Sequence, residues 1–490
     1  MSNIKATIVT GAGRGFALTV LALSLAACQS MKPAVPEAQP SIPTEYTALA
    51  QDGSPSIASQ GYQEYFSDPR LEQVIALALD NNRDLRTAAL NIEKTQYQYQ
   101  IARNDQLPTV GATGSVVRQD TLSVTKPYTT YSVGLGVTSY ELDFWGRVAS
   151  LKDAALETYF ATQAARDATQ VSLVGQVAQA WVAISFAEQN LKLAQQTLKA
   201  QQDSYSLNKR RFDVGLDSEI PLRQSQISVE TARGDVASYK TEIEQQKNAL
   251  NLLVGQTVPA NLLPDTAIVR ITDNRALSAG LPSELLNNRP DIRSAEYQLR
   301  AAGANIGAAK ARLFPTISLT GSAGYASTDM SDLFKSGSFI WSLGPSIDLP
   351  IFDWGTRRNN IKISEVDQKI ALSDYEGTIQ TAFREVNDVL ATRANIDDRI
   401  AAQRRLVEAT NKTYQLSQAR YRAGLDNYLT VLDAQRTAYS AEQGLLALRQ
   451  ANLNSQIELY KTLGGGLTTT QAENAQVESQ TTSNSTSSNN

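Results

Sequence analysis

The sequence contains no histidine and only one cysteine among its 490 residues. The lack of histidine excludes every mechanism that uses this residue as an acid, base, triad member or metal ligand. A single cysteine excludes internal disulfides and cysteine-rich zinc sites. The 45 basic and 49 acidic side chains leave a formal charge of −4, which gives no electrostatic reason to expect a nucleic-acid partner. We therefore expect no catalytic residues, no metal site and no cofactor.

Long hydrophobic runs are also missing. Beyond the N-terminal region no segment offers about 18 consecutive apolar residues, so a transmembrane helix is not expected. A chain without such a helix can span a membrane only as a closed β-barrel. Aromatic residues make up only 7% of the sequence, whereas Ala, Gln, Leu and Ser are abundant in its middle. This composition favours long helices that pack through small residues.

The N-terminus has the features of an export signal. Basic residues precede the apolar stretch Phe16 to Leu23, which is too short to span a bilayer as a helix. The following Leu25-Ala26-Ala27-Cys28 resembles the lipobox of bacterial lipoproteins. We expect residues 1–27 to be a signal peptide and Cys28 to carry acyl chains such as palmitate, with 28–60 forming a lipidated arm. The alternative is an ordinary signal peptide with an incidental cysteine.

The mature chain contains an internal duplication. Asp84-Leu85-Arg86-Thr87-Ala88 matches Asp291-Ile292-Arg293-Ser294-Ala295 at an offset of 207 residues, and the segment 211–217 matches 420–426 at an offset of 209. Ordered matches over such a length predict two copies of one architecture, with a period too long for a solenoid. The predicted boundaries are 61–255 for repeat 1, 256–287 for a linker or equatorial segment, 288–466 for repeat 2 and 467–490 for a disordered tail.

Each repeat reads as a helix, two strands, a very long helix, a turn and a return helix. In repeat 1 we expect one uninterrupted helix over 69–106, which ends before Pro108. The long helix is predicted over 147–213, about 100 Å at 1.5 Å per residue, and the return helix over 218–254. Apolar residues at coiled-coil spacing mark the buried seam of the long helix: Val174, Val177, Trp181, Ile184, Leu191 and Leu198.

The predicted strands alternate apolar with small polar residues, so each presents one apolar and one polar face. Tyr131, Val133, Leu135 and Val137 alternate with Ser, Gly and Thr, and similar alternation follows Val110, Ile317 and Phe339. The Trp-Gly pairs of the two repeats are 209 residues apart, which is an odd offset, whereas side chains along a strand alternate with a period of two. The apolar faces of the two repeats align only at an even offset, so we expect a one-residue bulge just before the Trp-Gly pairs. Aromatic residues cluster at the strand ends as a membrane girdle would: Tyr128, Tyr140, Phe144, Trp145, Phe334, Phe352 and Trp354.

Four strands of this kind cannot close a membrane barrel, which needs at least eight. Three copies of the chain would supply twelve. A homotrimer sharing one barrel is therefore the geometric expectation, and a half-buried soluble sheet is the alternative.

Several motifs in fixed order resemble the outer-membrane factor family of Gram-negative bacteria, the TolC-like channels, and most closely its OprM-like efflux lipoproteins. They are the lipobox at Cys28, Leu313-Phe314-Pro315, Glu141-Leu142-Asp143-Phe144-Trp145-Gly146-Arg147, Asn288-Arg289-Pro290-Asp291-Ile292, Arg420-Tyr421-Arg422-Ala423-Gly424-Leu425-Asp426-Asn427-Tyr428, Val431-Leu432-Asp433-Ala434-Gln435-Arg436 and Leu459-Tyr460-Lys461-Thr462-Leu463-Gly464-Gly465-Gly466.

The resemblance implies an α+β membrane protein: a homotrimer whose 12-stranded β-barrel in the outer membrane continues into an α-helical coiled-coil barrel in the periplasm. It also implies a passive path for drugs or other small solutes, with an inner-membrane efflux pump and a periplasmic adaptor as partners, outer-membrane lipid around the barrel and no nucleic acid.

The helix-hairpin tips are the predicted control point. By resemblance, Val214-Gly215-Leu216 and Ala423-Gly424-Leu425 dock the adaptor, although glycine there would act as a helix C-cap in any case. Leu429 and Asp433 lie one turn apart, and threefold symmetry would make them a leucine ring and an aspartate ring. Resemblance to the OprM-like channels implies that these two residues form the closed gate, and we expect Arg436 to hold the tip through ion pairs. A solvated Asp433–Arg436 pair is the plainer reading.

Three other functions stay open from the sequence alone. A protein-secretion channel would use the same body, and a trimeric coiled-coil lipoprotein could space the envelope without a pore. An enzyme is the least favoured, because carboxylate pairs such as Glu365 and Asp367 lie on a helix whose alternating charge is typical of a solvated face.

Overall fold

A computed structural model describes residues 31–42, 61–120, 126–265, 270–272, 286 and 288–466. Cys28, the signal peptide, the tail 467–490 and parts of the arm and of the linker lie outside the described residues. The chain divides into two compact units, each of which draws on both repeats. The first takes its described residues from Met1–Gln39, Asn91–Gln163 and Ser294–Glu376, and the second from Pro40–Leu90, Ala164–Arg293 and Gly377–Asn490.

The order helix, two strands, long helix and return helix occurs twice, as the duplication predicts, and the described part of repeat 1 has two further helices before it. Repeat 1 contains α1 (Tyr62–Tyr65), α2 (Pro69–Asn81), α3 (Arg83–Asn104), β1 (Val110–Gln119), β2 (Tyr128–Glu141), α4 (Arg147–Asp213) and α5 (Glu219–Val254). Repeat 2 contains α6 (Pro290–Ala311), β3 (Thr316–Ser327), β4 (Phe339–Asp348), α7 (Thr356–Arg422) and α8 (Tyr428–Thr462). The long helices α4 and α7 each have 67 residues, and α4 has the bounds that the sequence predicts.

The prediction of one uninterrupted helix over 69–106 is wrong. The chain leaves the helical conformation at Asn82, whose ψ is 133°, so that α2 and α3 are separate helices. The Asn82 side chain accepts a hydrogen bond from the Leu85 N–H at 2.8 Å and donates one to the Leu253 carbonyl at 2.8 Å. Asn82 therefore ends one helix, caps the next and ties both to α5.

The four strands form one antiparallel sheet in the order β1-β2-β3-β4, within the first unit. Between Val137 and Tyr140 the β2–β3 register shifts by one residue, and Ser139 there has a φ of 55°. The expected bulge is thus present before the first Trp-Gly pair, although it lies within β2. β4 pairs with β3 continuously as far as Asp348, so the described part of the second repeat has no such bulge in this strand.

The two sheet faces differ as the alternation predicts. On one face, serine hydroxyls pair across neighbouring strands: Ser115 with Ser132 at 2.8 Å, Ser318 with Ser346 at 3.1 Å and Ser322 with Ser342 at 2.8 Å. The opposite face carries apolar side chains that are largely exposed in the single chain, among them Val110, Leu135, Trp341, Leu343 and Ile347. The sheet therefore has a small polar face and an uncovered apolar face.

The second strand of each repeat, β2 or β4, connects to the long helix that follows it through a capped turn. The Asp143 carboxylate accepts a hydrogen bond from the Ala149 N–H at 2.8 Å, and the Trp145 indole donates to the Pro315 carbonyl at 2.8 Å. In repeat 2, Asp353 accepts from the Gly355 N–H at 3.0 Å. Trp145 thus has a structural role, whereas its counterpart Trp354 is 88% exposed.

The helical cores use small residues, as the composition predicts. Alanines of α4 and α6 are buried in the first unit, including Ala154, Ala161, Ala304 and Ala308. In the second unit the predicted seam residues Val174, Val177, Trp181 and Ile184 are fully or almost fully buried. α4 contains one stretch long and apolar enough to cross a membrane, but about two thirds of it is buried inside the chain, as in an ordinary core helix.

Candidate functional site

Two helix-hairpin tips in the second unit share one construction. In the first, the Leu216 N–H donates to the Arg211 carbonyl at 2.8 Å, and Gly215 has a φ of 76°. In the second, the Leu425 N–H donates to the Arg420 carbonyl at 2.9 Å, and Gly424 has a φ of 73°. These are the hydrogen bonds and left-handed glycine of a Schellman C-cap, so the capping role expected for both glycines is confirmed.

An ion pair closes each tip. Arg211 lies 2.6 Å from Asp217 in the first hairpin, and Arg420 lies 2.7 Å from Asp426 in the second. Hydrogen bonding from the arginine lowers the pKa of each aspartate below its usual value. The sequence analysis does not predict these pairs, although a signal is present. In both repeats an arginine stands six residues before an aspartate, and the two arginines occupy equivalent positions.

The apolar side chains of the tips are left uncovered. Val214 and Leu216 are each 69% exposed, and Leu425 is 66% exposed. The backbone N–H groups of these residues donate within the turns, and their exposed side chains are free to contact another molecule. They belong to the tips for which the family resemblance implies adaptor contact.

The start of α8 has two distinct faces. Leu429 is 56% exposed and Asp433 is also exposed, whereas Tyr428, Val431 and Leu432 are buried between the hairpins. Leu429 and Asp433 therefore share the outer face of the helix, as their spacing predicts. Corresponding positions of the first hairpin hold Ile220 and Gln224, so only the second hairpin offers a carboxylate here.

Arg436 does not have the ion pairs expected of it. Within the described chain no salt bridge joins its guanidinium to Asp433 or to another carboxylate. Its side chain instead borders a small cavity formed with α4 and α5. The i,i+3 geometry allows the Asp433–Arg436 pair, but the two side chains do not adopt it.

A tyrosine links the two hairpins. The Tyr421 hydroxyl lies 2.7 Å from Oδ1 of Asn208 and 3.1 Å from Oδ2 of Asp217, both in the first hairpin. The Arg211 guanidinium lies 5.1 Å from the centre of the Tyr421 ring, within cation–π range. Burial, together with the Asp217 charge, raises the pKa of Tyr421 to about 12, so this hydroxyl remains a donor at physiological pH.

Tyr421, Tyr428, Val431 and Leu432 form a buried cluster around this junction. Sequence reasoning missed the cluster as well. The counterpart of Tyr421 in repeat 1 is Phe212, which has no hydroxyl, and that single difference between the repeats is the only sequence signal for the junction.

The described residues contain no group of three or more Asp, Glu, His or Cys side chains placed to hold a metal ion. The site thus consists of two capped tips, an exposed Leu–Asp face and a tyrosine junction.

Comparison with known proteins identifies the family. Residues 74–256 and 281–465 match the outer membrane efflux protein family. The chain is 44% identical over 423 residues to the probable efflux pump outer membrane protein TtgC of Pseudomonas putida, covering 85% of this chain and 87% of that protein. It is 38% identical to the outer membrane protein OprJ of Pseudomonas aeruginosa, covering 92% and 96%.

Solved structures agree with the sequence relatives. The fold matches the open state of the Neisseria gonorrhoeae MtrE outer membrane channel with a TM-score of 0.82 and 39% identity, covering 90% of this chain and 99% of that one. The match to CusC has a TM-score of 0.81 and 35% identity, covering 89% and 100%. The two matched segments coincide with the two repeats, and the chain therefore belongs to the outer membrane efflux protein family.

Proposed function

We propose that three copies of this chain form the outer membrane channel of a tripartite efflux pump, through which small solutes leave the periplasm. The observation that carries the proposal is the four-stranded sheet, which has an uncovered apolar face, a serine-lined face and unpaired outer edges at β1 and β4 within the described chain. Unpaired edges readily accept another strand. Pairing β4 of each copy with β1 of the next closes a barrel of twelve strands, which meets the minimum size for a membrane barrel.

The relatives support the class of solute. Their names refer to efflux of antibiotics, toluene and solvents. Small, mostly apolar molecules are therefore the expected cargo, and the inner-membrane pump supplies the energy because the channel itself makes and breaks no bonds. The described residues of this chain serve as walls and gate.

The second hairpin supplies the proposed gate. Leu429 and Asp433 share the exposed face of α8, so three copies would present a leucine ring above an aspartate ring. A leucine ring narrows and dewets a pore, and an aspartate ring favours cations. Tyr421 holds this hairpin against the first one, and we infer that this contact resists separation of the two hairpins when the channel opens. Arg436 contributes positive charge near the ring without neutralising Asp433 by a direct pair.

The exposed tips are the proposed docking surface for a periplasmic adaptor. Their apolar residues Val214, Leu216 and Leu425 stand on rigid, internally bonded turns, which lowers the entropic cost of binding. Ala423 and the two glycines keep the turns narrow, so that a partner can approach the backbone closely.

The lipid anchor is proposed at Cys28. The described segment that follows it, 31–42, contacts the helices of the first unit. Lys32 forms a salt bridge with Asp153 of α4, and the Gln39 N–H donates to the Glu376 carboxylate at 2.9 Å. An arm fixed along the first unit would position acyl chains on Cys28 for insertion into the outer membrane.

Conductance of the purified full-length protein in a planar bilayer tests the channel. We expect discrete, cation-selective current steps, which Asp433→Asn makes less cation-selective. A protein that spaces the envelope without a pore gives no current at all, and that result would overturn the proposal.

Photo-crosslinking in cells tests the docking surface. A crosslinker placed at Leu216 or Leu425 should capture an adaptor. The matched control is Leu252, which is 79% exposed but lies far along α5 from the tip, and which should not capture it. Equal capture from all three positions would contradict docking at the tips.

A further inference from the structure

A groove runs along β3 on the apolar face of the sheet. Its floor contains Gly321 and Ala323, which have no side chain or a very small one. Larger side chains of the neighbouring strands β2 and β4 form its walls: Leu135, Val137, Trp341 and Leu343. The groove has a volume of about 490 Å³, and its exposed surface is almost entirely apolar.

The strand register explains why the groove exists. Val137, Gly321 and Leu343 stand opposite one another across three strands, and directly opposed residues share one face of a sheet. A Cβ atom at position 321 would lie 3.1 Å from Cδ1 of Leu343, so this leucine leans over the glycine. The floor belongs to the interior strand β3, so pairing of the outer edges β1 and β4 with other copies would leave the groove open.

The groove begins at the helical end of the sheet. Pro108 and Tyr140 line it there, beside the junctions of β1 with α3 and of β2 with α4. The Tyr140 hydroxyl donates to the Gln106 carbonyl at 2.9 Å, which holds the ring at this end. A chain that enters the groove from the helices therefore meets its apolar wall at once.

The N-terminal arm runs toward this end of the sheet. Gln39 bonds to Glu376, which lies about 30 Å along α7 from the start of that helix at 1.5 Å per residue. Lys32 pairs with Asp153, which lies only about 9 Å along α4 from its start. Both long helices start beside the sheet, so the arm approaches the sheet as it is followed toward the N-terminus.

The arm lies directly on α6 where it comes closest to the sheet. A Cβ atom at Gly307 would lie 3.2 Å from the backbone nitrogen of Lys32 and 3.1 Å from its Cγ, so the glycine makes room for the arm. Gly307 is one turn before the end of α6, which leads into β3. Cys28 is four residues before Lys32, and four residues span at most about 14 Å. An acyl chain adds about 15 Å, half of the hydrocarbon core of a bilayer.

We propose that one acyl chain attached to Cys28 lies in this groove, along β3 between β2 and β4. An apolar chain matches an apolar wall, and the tether through the arm gives it a high effective concentration at the groove. The seated chain would fasten the arm to the first unit and cover part of the exposed apolar face. The proposal rests on the lipid anchor proposed above and is independent of the gate and of the adaptor.

Photo-crosslinking through the acyl chain tests the groove in the full-length protein. Cells fed palmitic acid with a terminal diazirine incorporate it into their lipids and lipoproteins, and mass spectrometry of the irradiated protein locates the crosslinks. We expect the peptide of Cys28 to be joined through its acyl chain to residues 319–323 and 341–343. Val116 is the matched comparison, since it is 67% exposed against 65% for Leu343 and lies on the same face outside the groove.

Two crosslinking results would overturn the groove. One is labelling of the groove by free phospholipid only, and the other is Cys28-linked labelling of Val116 as strong as that of Leu343. The mass of the Cys28 peptide separates the proposals. An unacylated Cys28 would refute both the lipid anchor and the groove, whereas an acylated Cys28 without groove crosslinks would refute the groove alone. Conductance tests the channel independently of either result.

A filled groove gives the matched variants. Ala323→Phe places a ring on the groove floor and should reduce the Cys28-linked crosslinks to residues 341–343 several-fold. Ala112→Phe makes the same substitution on the same face of β1, outside the groove, and should leave them unchanged. An equal yield in both variants would contradict the proposal.

Electron cryo-microscopy of the wild type in lipid nanodiscs gives a readout that needs no variant. We expect an elongated density in the groove that continues to Cys28. An empty groove, or a chain in it that does not connect to Cys28 and so belongs to a phospholipid, would overturn the proposal.

Discussion

The Tyr421 hydroxyl reaches Asp217 across the boundary between the two hairpins, at 3.1 Å. The same hydroxyl lies 2.7 Å from Asn208, a side chain that is only 1% exposed. The hydroxyl of one residue of repeat 2 thus lies within hydrogen-bond distance of two acceptor oxygens of repeat 1, and it donates its single hydrogen to one of them at a time. This junction is one contact through which separation of the hairpins can be controlled.

Tyr421→Phe should weaken the contact between the hairpins. The change leaves the buried Asn208 oxygen without a donor, which costs about 1–3 kcal/mol. We expect a higher open probability in planar bilayers and a lower thermal midpoint.

Tyr428→Phe is the matched control, since the Tyr428 hydroxyl is buried in the same cluster and has no hydrogen-bond partner. Its removal should leave the open probability unchanged and should not lower the thermal midpoint, because a buried hydroxyl without a partner is itself unfavourable. If both variants behave alike, the junction does not hold the hairpins together.

Acidification should open the channel through Asp217. Its pKa is lowered mainly by the hydrogen bond from Arg211, with a further contribution from Tyr421. A carboxylate with a lowered pKa stabilises the folded contact above its ordinary value of 3.8, and this contribution is lost as the pH falls through the lower folded value. Open probability should therefore increase only below about pH 4. Asp217→Asn should remove that pH dependence, and an unchanged profile in this variant would contradict the assignment.

At alkaline pH the contact between Tyr421 and the first hairpin should also weaken, because the Tyr421 hydroxyl then loses its proton. The pKa of Tyr421 is raised to about 12 from 10.0, so its stabilising contribution is complete below about pH 10 and is lost as the pH rises through 12. Bilayer recordings between pH 10 and 12 should show an increase in open probability in the wild type and none in Tyr421→Phe.

Much of the architecture is readable from the sequence because its signals are periodic. The alternation along the strands predicts the strands correctly, and the apolar seam of α4 predicts that helix correctly. In each element the side chains of one face are buried or exposed together, which leaves a periodic pattern in the sequence. The roles of Asn82 and Tyr421 could not be predicted in this way. Each acts through hydrogen bonds to residues distant in the chain, and a single side chain leaves no period to detect.

Gly424→Ala should destabilise the second hairpin tip. Gly424 has a φ of 73° and open space around it, so the cost is conformational rather than steric, about 1–2 kcal/mol for a left-handed alanine. Gly234→Ala is a suitable control, because Gly234 lies inside α5, also with open space around it, where alanine favours the helix by roughly 0.5–1 kcal/mol. The thermal midpoint should fall in the first variant and rise in the second. A fall in both would show that the φ value at the tip is not the cause.

Asn82→Ala should loosen the start of repeat 1. The variant loses the bond to the Leu253 carbonyl and the N-terminal cap of α3, each worth about 1 kcal/mol. We expect faster amide hydrogen exchange in α3 and the end of α5. Asn81→Ala removes only a local bond to the Leu77 carbonyl and should leave α5 unaffected. Equal exchange in both variants would contradict the tie between these helices.

Asp433 should set the ion selectivity of the channel, because it is the exposed carboxylate one turn from Leu429 and no salt bridge neutralises it within the described chain. Asp433→Asn removes three charges from a threefold ring and should reduce the cation-to-anion permeability ratio, measured from reversal potentials in a salt gradient. Gln224→Asp places a carboxylate at the corresponding position of the first hairpin, so adding it to Asp433→Asn should restore part of the cation preference. If Asp433→Asn leaves the reversal potential unchanged, the selective ring lies elsewhere in the pore. If Asp433→Asn shifts the reversal potential and the added Gln224→Asp change does not shift it back, only the second hairpin faces the permeating ions.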